Sequence, residues 1–139
     1  MKKMLFLFIL ITHSAVAQTN KNQFKEVIHQ LRIYEIFEDN KAAFHQRFAD
    51  HAQRIMKKYG FHFVAIWESK SDKRTEFIYL LEWPDHKTLQ ESWAKFMEDQ
   101  EWKEIKRQTS QSHGQLVGEI QDKILTMTSY SPAILTANK

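Results

Sequence analysis

Arg32 and Tyr34 stand two residues apart in "VIHQLRIYEIF", a stretch rich in β-branched and aromatic residues. Residues at i and i+2 of a strand project from the same face, so a guanidinium and a phenol share one surface. Under cover, a planar cation clamps an acidic group in two places, and a phenol both donates and accepts a hydrogen bond. An ion pair with Glu68, Glu82 or Glu119 is the competing role for the arginine. His51 sits next to Ala52, beside an apolar helical stripe, and is the candidate catalytic group. An imidazole partly buried there can act as donor or base, or simply satisfy a core hydrogen bond. Trp67, Tyr79 and Trp83 supply apolar walls with polar tips, suited to a pocket or to packing between subunits. Arg32, Tyr34, His51, Trp67, Tyr79 and Trp83 form the candidate ligand-binding set.

Other chemistries lack their residues. The chain has no cysteine, which excludes disulfides, thiolate metal sites and a cysteine nucleophile. His45 and His51 are six residues apart, about 240° round a helix, and no H-E-x-x-H occurs, so no metal site is expected. No P-loop and no G-x-G-x-x-G is present, and no cofactor is expected. A basic stripe interleaved with aromatics is also missing, so no nucleic-acid partner is expected. The formal charge of +3 includes Lys2 and Lys3, which belong to a different kind of segment.

That segment is residues 1–17: two lysines, the apolar run "MLFLFILI" and Ala15-Val16-Ala17. A basic start, a short apolar stretch and an Ala-x-Ala site read as a secretory signal peptide. Cleavage is expected after Ala17, giving a periplasmic or secreted protein with no stable membrane span. Residues 18–26, "QTNKNQFKE", read as a flexible leader, and residues 27–139 as one domain.

Within that domain the elements that must position the candidates can be laid out in order. A first strand begins near Val27. "EDN" breaks it, and Asp39 or Asn40 is placed to cap a helix. Phe44, Phe48, Ala52, Ile55 and Tyr59 give that helix one apolar stripe, with Arg47 among the residues on its other side, and Gly60 ends it. "FHFVAIWES" and "TEFIYLLEW" are two strands joined by a hairpin at "KSDKR". Pro84 stops the third strand, Asp85 caps a second helix, and Asp99 caps a short continuation that "QTSQSHG" leads out of. A last strand lies within "LVGEIQDKILTMTSY", with Gly118 marking a bulge. The order β-α-β-β-α-β predicts the α+β ferredoxin-like split βαβ fold, an antiparallel sheet with helices on one face.

Strands two and three are apolar at both parities. Simple alternation puts Phe61, Phe63, Ala65 and Trp67 on one face, and sets Phe77, Tyr79, Leu81 and Trp83 against Ile78 and Leu80. Helices cover one face only, so the other calls for a second copy, a homodimer through the sheet face.

The segments "LRIY", "KKYG", "FIYLLEWPDHKTLQESWAKFMEDQEWKEIK" and "YSP", with Trp83, Trp93 and Trp102 spaced along the longest of them, resemble the NIPSNAP family from about Leu31 to Pro132. The resemblance implies a dimeric α+β barrel of the ferredoxin-like type. Related barrels include cofactor-free monooxygenases, haem-degrading enzymes and stress-responsive proteins. The chain departs from the family pattern at "FEDN", where a Pro-Gly turn is common, at Ala65, where glycine is common, and at Gln90 and Glu91, where some members carry arginine. Two functional readings follow. One is a homodimer binding a small lipophilic or acidic molecule, with cofactor-independent oxidation or isomerisation as its enzymatic form. The other is a non-catalytic structural or protein-interaction module.

Overall fold

Strand-forming residues from both ends of the domain pair side by side in one sheet. The computed structural model describes residues 27–132, so the expected signal segment and leader lie outside the described residues. The strands are β1 (Ile28–Ile36), β2 (His62–Lys70), β3 (Thr75–Trp83) and β4 (Val117–Leu125). They pair antiparallel in the order β2-β3-β1-β4. A 3₁₀ turn (Glu38–Asn40) leads into α1 (Lys41–Arg47), a π-helical turn (Phe48–Ala52) and α2 (Gln53–Lys58), which form the first helical arm. The second arm is α3 (His86–Glu98) and α4 (Gln100–His113). This is the expected ferredoxin-like fold, with its core between the helices and one face of the sheet.

Local chemistry sets most boundaries. Gly60 (φ 81°) and Gly114 (φ 71°) end the two arms in the left-handed region, where glycine costs least. The Asp85 carboxylate accepts from the Thr88 backbone N–H at 2.7 Å, and Asp99 accepts from the Trp102 backbone N–H at 2.9 Å. Two expectations are corrected. "QTSQSHG" does not lead out of a short helix: α4 runs to His113, because nothing before Gly114 breaks it and its polar residues face outward. Asn40 does not cap α1 with its side chain. It donates instead to the carbonyls of His113 and Gln115, both at 2.9 Å, tying the start of one arm to the end of the other.

Two irregularities redirect side chains. At a regular 100° or so per residue, Met56 lies about 120° from Phe44, whereas His51 lies within about 20° of it. The π turn unwinds the arm between them. Met56 becomes buried, and His51 turns out of the helix–sheet gap. In β2, the register steps from Phe63↔Leu81 to Ala65↔Leu80, which leaves Val64 as an extra residue. Beyond this bulge every parity is inverted. Ile66 pairs with Tyr79 on the helix side, and Trp67 pairs with Ile78 on the outer side, 50% exposed. No glycine marks this bulge in the sequence.

Asp99 joins the arms. Its carboxylate accepts from the Tyr59 hydroxyl at 2.7 Å and from Lys58 at 3.0 Å, besides capping α4. The Tyr59 hydrogen bond, with the Trp102 N–H and Lys58, holds its pKa down to about 2. An unfolded aspartate titrates near 3.9, so this contribution to stability is complete above about pH 4 and is lost as the pH falls through about 2. Urea midpoints at pH 5 and pH 2.5 should therefore fall further for the wild type than for Asp99→Asn. Parallel curves would show that Asp99 is not an acid-sensitive clasp.

Candidate functional site

The helix-facing side of the sheet carries polar residues at its centre. One row runs Ile66–Tyr79–Arg32–Asp122 and the next Glu68–Phe77–Tyr34–Ile120. Arg32 donates to the Asp122 carboxylate at 2.7 Å and to the Tyr34 hydroxyl at 3.0 Å. The Tyr34 and Tyr79 hydroxyls are hydrogen-bonded at 2.9 Å, their rings stacked with centroids 5.6 Å apart. The Arg32 guanidinium also lies 4.7 Å from the Trp93 ring centroid, a cation–π contact. Burial pushes the Tyr79 phenol well above its usual range, so it stays protonated.

Gln30 anchors this row from below. It is buried, and its carbonyl oxygen accepts from both the Trp83 and Trp93 indole N–H groups at 3.1 and 2.9 Å. Its amide nitrogen donates to both Asp122 oxygens, at 2.9 and 3.1 Å. A continuous chain of hydrogen bonds thus links two indoles, Gln30, Asp122, Arg32 and both tyrosines. The ion pair expected for Arg32 exists, but with Asp122 and not with Glu68, Glu82 or Glu119. Glu68 instead binds His45 and Lys41, Glu82 lies near His29 and His62, and Glu119 binds Arg74.

The tyrosines border an apolar cavity of about 60 Å³ between the sheet and the helices, walled by Phe44, Phe48, Met56, Trp93, Phe96 and Trp102. Neither histidine nor carboxylate lines it. The chemistry it offers is hydrogen bonding from a phenol. Because Tyr34 already accepts from Arg32, its own proton is free for a guest when Tyr79 donates to Tyr34. Arg32 stands behind Tyr34 as a positioning residue and does not line the space. Its Nε–H is buried without an acceptor among the described residues.

A second concavity, a polar groove of about 260 Å³, opens between the first arm and α4. Arg47 lines both spaces. Its guanidinium lies 5.6 Å from the Trp102 ring centroid, and burial lowers its pKa. The cation nevertheless persists, because an arginine starts far above neutral pH.

The six sequence candidates therefore separate. Tyr34 and Tyr79 line the cavity and Arg32 holds them. Trp83 is fully buried against Gln30 and Phe61, outside the lining. His51 lines the outer groove. Trp67 sits on the opposite sheet face, because of the β2 bulge. Sequence reasoning missed Arg47 by assigning it to the solvent side. Its spacing of three from Phe44 places it only about 60° from the stripe, which was the available signal. Gln30 and Asp122 had no comparable signal, because their meeting depends on the β1–β4 register.

Comparison with known proteins agrees with this architecture. No curated protein is similar enough in sequence to match. An uncharacterized NIPSNAP-like domain protein from Burkholderia xenovorans superposes with a TM-score of 0.67 at 21% identity, over 83% of this chain and 97% of that one. A NIPSNAP family protein of unknown function from Agrobacterium tumefaciens gives 0.66 at 17% identity, over 78% and 95%. SnoaB, a cofactor-independent oxygenase from Streptomyces nogalater, gives 0.51 at 13% identity, over 78% and 99%. At these identities the likeness is one of fold. The NIPSNAP family profile matches residues 29–132, and the chain belongs to that family.

Proposed function

We propose that the domain is a homodimer that binds a small, largely apolar molecule in the helix–sheet cavity, with the Tyr34 hydroxyl reading an oxygen on the guest. The observation that carries this is the Tyr34–Tyr79 hydroxyl pair, held by Arg32 at the edge of an otherwise apolar space. A core built only for stability would fill the space with hydrocarbon and omit the hydroxyls, since buried polar groups add little net stability. The cavity itself admits only a short apolar group, well below the several hundred Å³ of typical ligand pockets. Guests are therefore small, or place one end or one ring edge in the cavity and extend past Arg47 into the groove.

Toluene and phenol are suitable probes, with quenching of Trp93 and Trp102 fluorescence as the readout. Phenol should bind more tightly than toluene, and Tyr34→Phe should weaken phenol binding about tenfold while sparing toluene, the size of one lost hydrogen bond in a dry site. Dioxygen uptake with phenol would give the domain an oxidative role like that in SnoaB's description, and its absence would leave binding alone. Failure of both probes to bind would favour the non-catalytic interaction module.

The dimer rests on the outer sheet face. Leu31, Ile33, Ile78 and Leu80 are only half-buried there, beside half-exposed Trp67. They occupy two adjacent rows, Trp67–Ile78–Ile33 and Ala65–Leu80–Leu31. A contiguous apolar centre of this kind suits a self-complementary two-fold contact.

A further inference from the structure

Resting on the cavity reading above, we infer that the guest is an anion: a short-chain or aryl carboxylate whose apolar end enters the cavity and whose carboxylate is held by Arg47. Arg47 is partly buried and has no carboxylate partner among the described residues. The other arginines of the helical arms, Arg54 and Arg107, are each paired with a glutamate. Arg47 is thus a cation withdrawn from water without a counter-charge, which is costly unless something anionic visits it.

Its surroundings agree. Neither the cavity nor the groove is lined by aspartate or glutamate. His51 and His113 line the groove on either side of the first arm and α4, and Lys106 lies 5.7 Å from the centroid of the Trp102 ring that Arg47 also covers. Glu104, on α4, is engaged by Arg107 and Gln108. Apolar walls lie on one side of Arg47, and polar groups of the groove on the other. A molecule with a carboxylate beside an apolar end matches that polarity, and the planar guanidinium fork suits a carboxylate held through two oxygens. The groove, at about 260 Å³, has room for the remainder of a longer acid.

Calorimetry with hexanoate, hexanamide and hexanol tests this. Hexanoate should bind at least about tenfold more tightly than the two neutral probes. Arg47→Met should abolish that preference by weakening hexanoate far more than the neutral probes, and Arg47→Lys should retain part of it, because it keeps charge but loses the fork. Arg47→Gln provides a second neutral variant if Arg47→Met does not fold. Equal binding of hexanoate and hexanamide by the wild type overturns the anion assignment alone, as does a preference that survives loss of the arginine. If none of these probes binds, and toluene and phenol also fail, the cavity reading falls with it.

Discussion

Gln30→Leu should unfold about 3 kcal/mol more easily than the wild type, with a melting temperature lower by roughly 10–20 °C. The leucine fits the volume but supplies no polar atom. Two indole N–H groups, on Trp83 and Trp93, lose their acceptor, and Asp122 loses both hydrogen bonds from the Gln30 amide. Each buried donor left unpaired costs about 1–3 kcal/mol. The damage should reach the proposed ligand site, because Asp122 orients Arg32 and Arg32 orients Tyr34. Phenol affinity in Gln30→Leu should therefore fall even at temperatures where the variant is fully folded. Chemical denaturation and fluorescence titration on the same sample provide both readings. A variant as stable as the wild type would mean that the indoles find other partners and that the network is not the keystone of this face.

Leu80→Lys should convert the proposed dimer to monomer or aggregate, while Ile66→Lys should leave the association intact. Sedimentation equilibrium at micromolar concentration distinguishes the two. Strict alternation along β2 puts Ile66 on the outer face, since it assigns Trp67 to the helix side. The extra residue at Val64 reverses this: Ile66 pairs with helix-facing Tyr79, whereas Leu80 pairs with Leu31 and Ala65 on the outer face. A lysine ammonium placed beneath a second copy must be stripped of water without a partner, so the dissociation constant should rise by roughly 100-fold or more. If Ile66→Lys disrupted the dimer and Leu80→Lys did not, the interface would lie elsewhere. A wild type that is monomeric at this concentration would remove the dimer outright.

These cases show where the sequence was readable. Strand β3 could be read almost completely: its aromatic and aliphatic run, its Pro84 stop and the Asp85 cap are local signals that tertiary structure did not override. The bulge at Gly118 was likewise visible: the β1–β4 register shifts there, from Tyr34↔Ile120 to Ile36↔Val117, and the end of the Glu35 side chain lies where a Cβ would project. The bulge in β2 was invisible, since it carries no residue that requires it, and Trp67 was misplaced as a result. Of the site, Tyr34, Tyr79 and Arg32 followed from strand parity. His51 left its expected surroundings because a helical wheel assumes a constant turn and this arm does not have one beyond Arg47, whereas Arg47, three residues after Phe44 on a regular turn, was within reach of the wheel. Asp122 and Gln30 meet only through pairing between strands about 90 residues apart in the chain, which no local pattern encodes.

The π turn at Phe48–Ala52 separates the first arm into two screws with independent phase. Phe44 seats α1 against β3, and that seating sets where Arg47 points. Ile55 and Met56, which close the core, belong to α2, beyond the extra residue. A change that rolls α1 by a few degrees can be absorbed in the wide turn without unseating α2. Deleting one residue from the turn would leave Met56 eleven residues from Phe44, about 20° apart on a regular helix, so both halves would stay in phase but would lose the wide turn between them. With the proposed site, the arm can therefore re-aim its cation toward a different guest while Ile55 and Met56 stay in place, so that selectivity and stability are free to drift separately along a single helix.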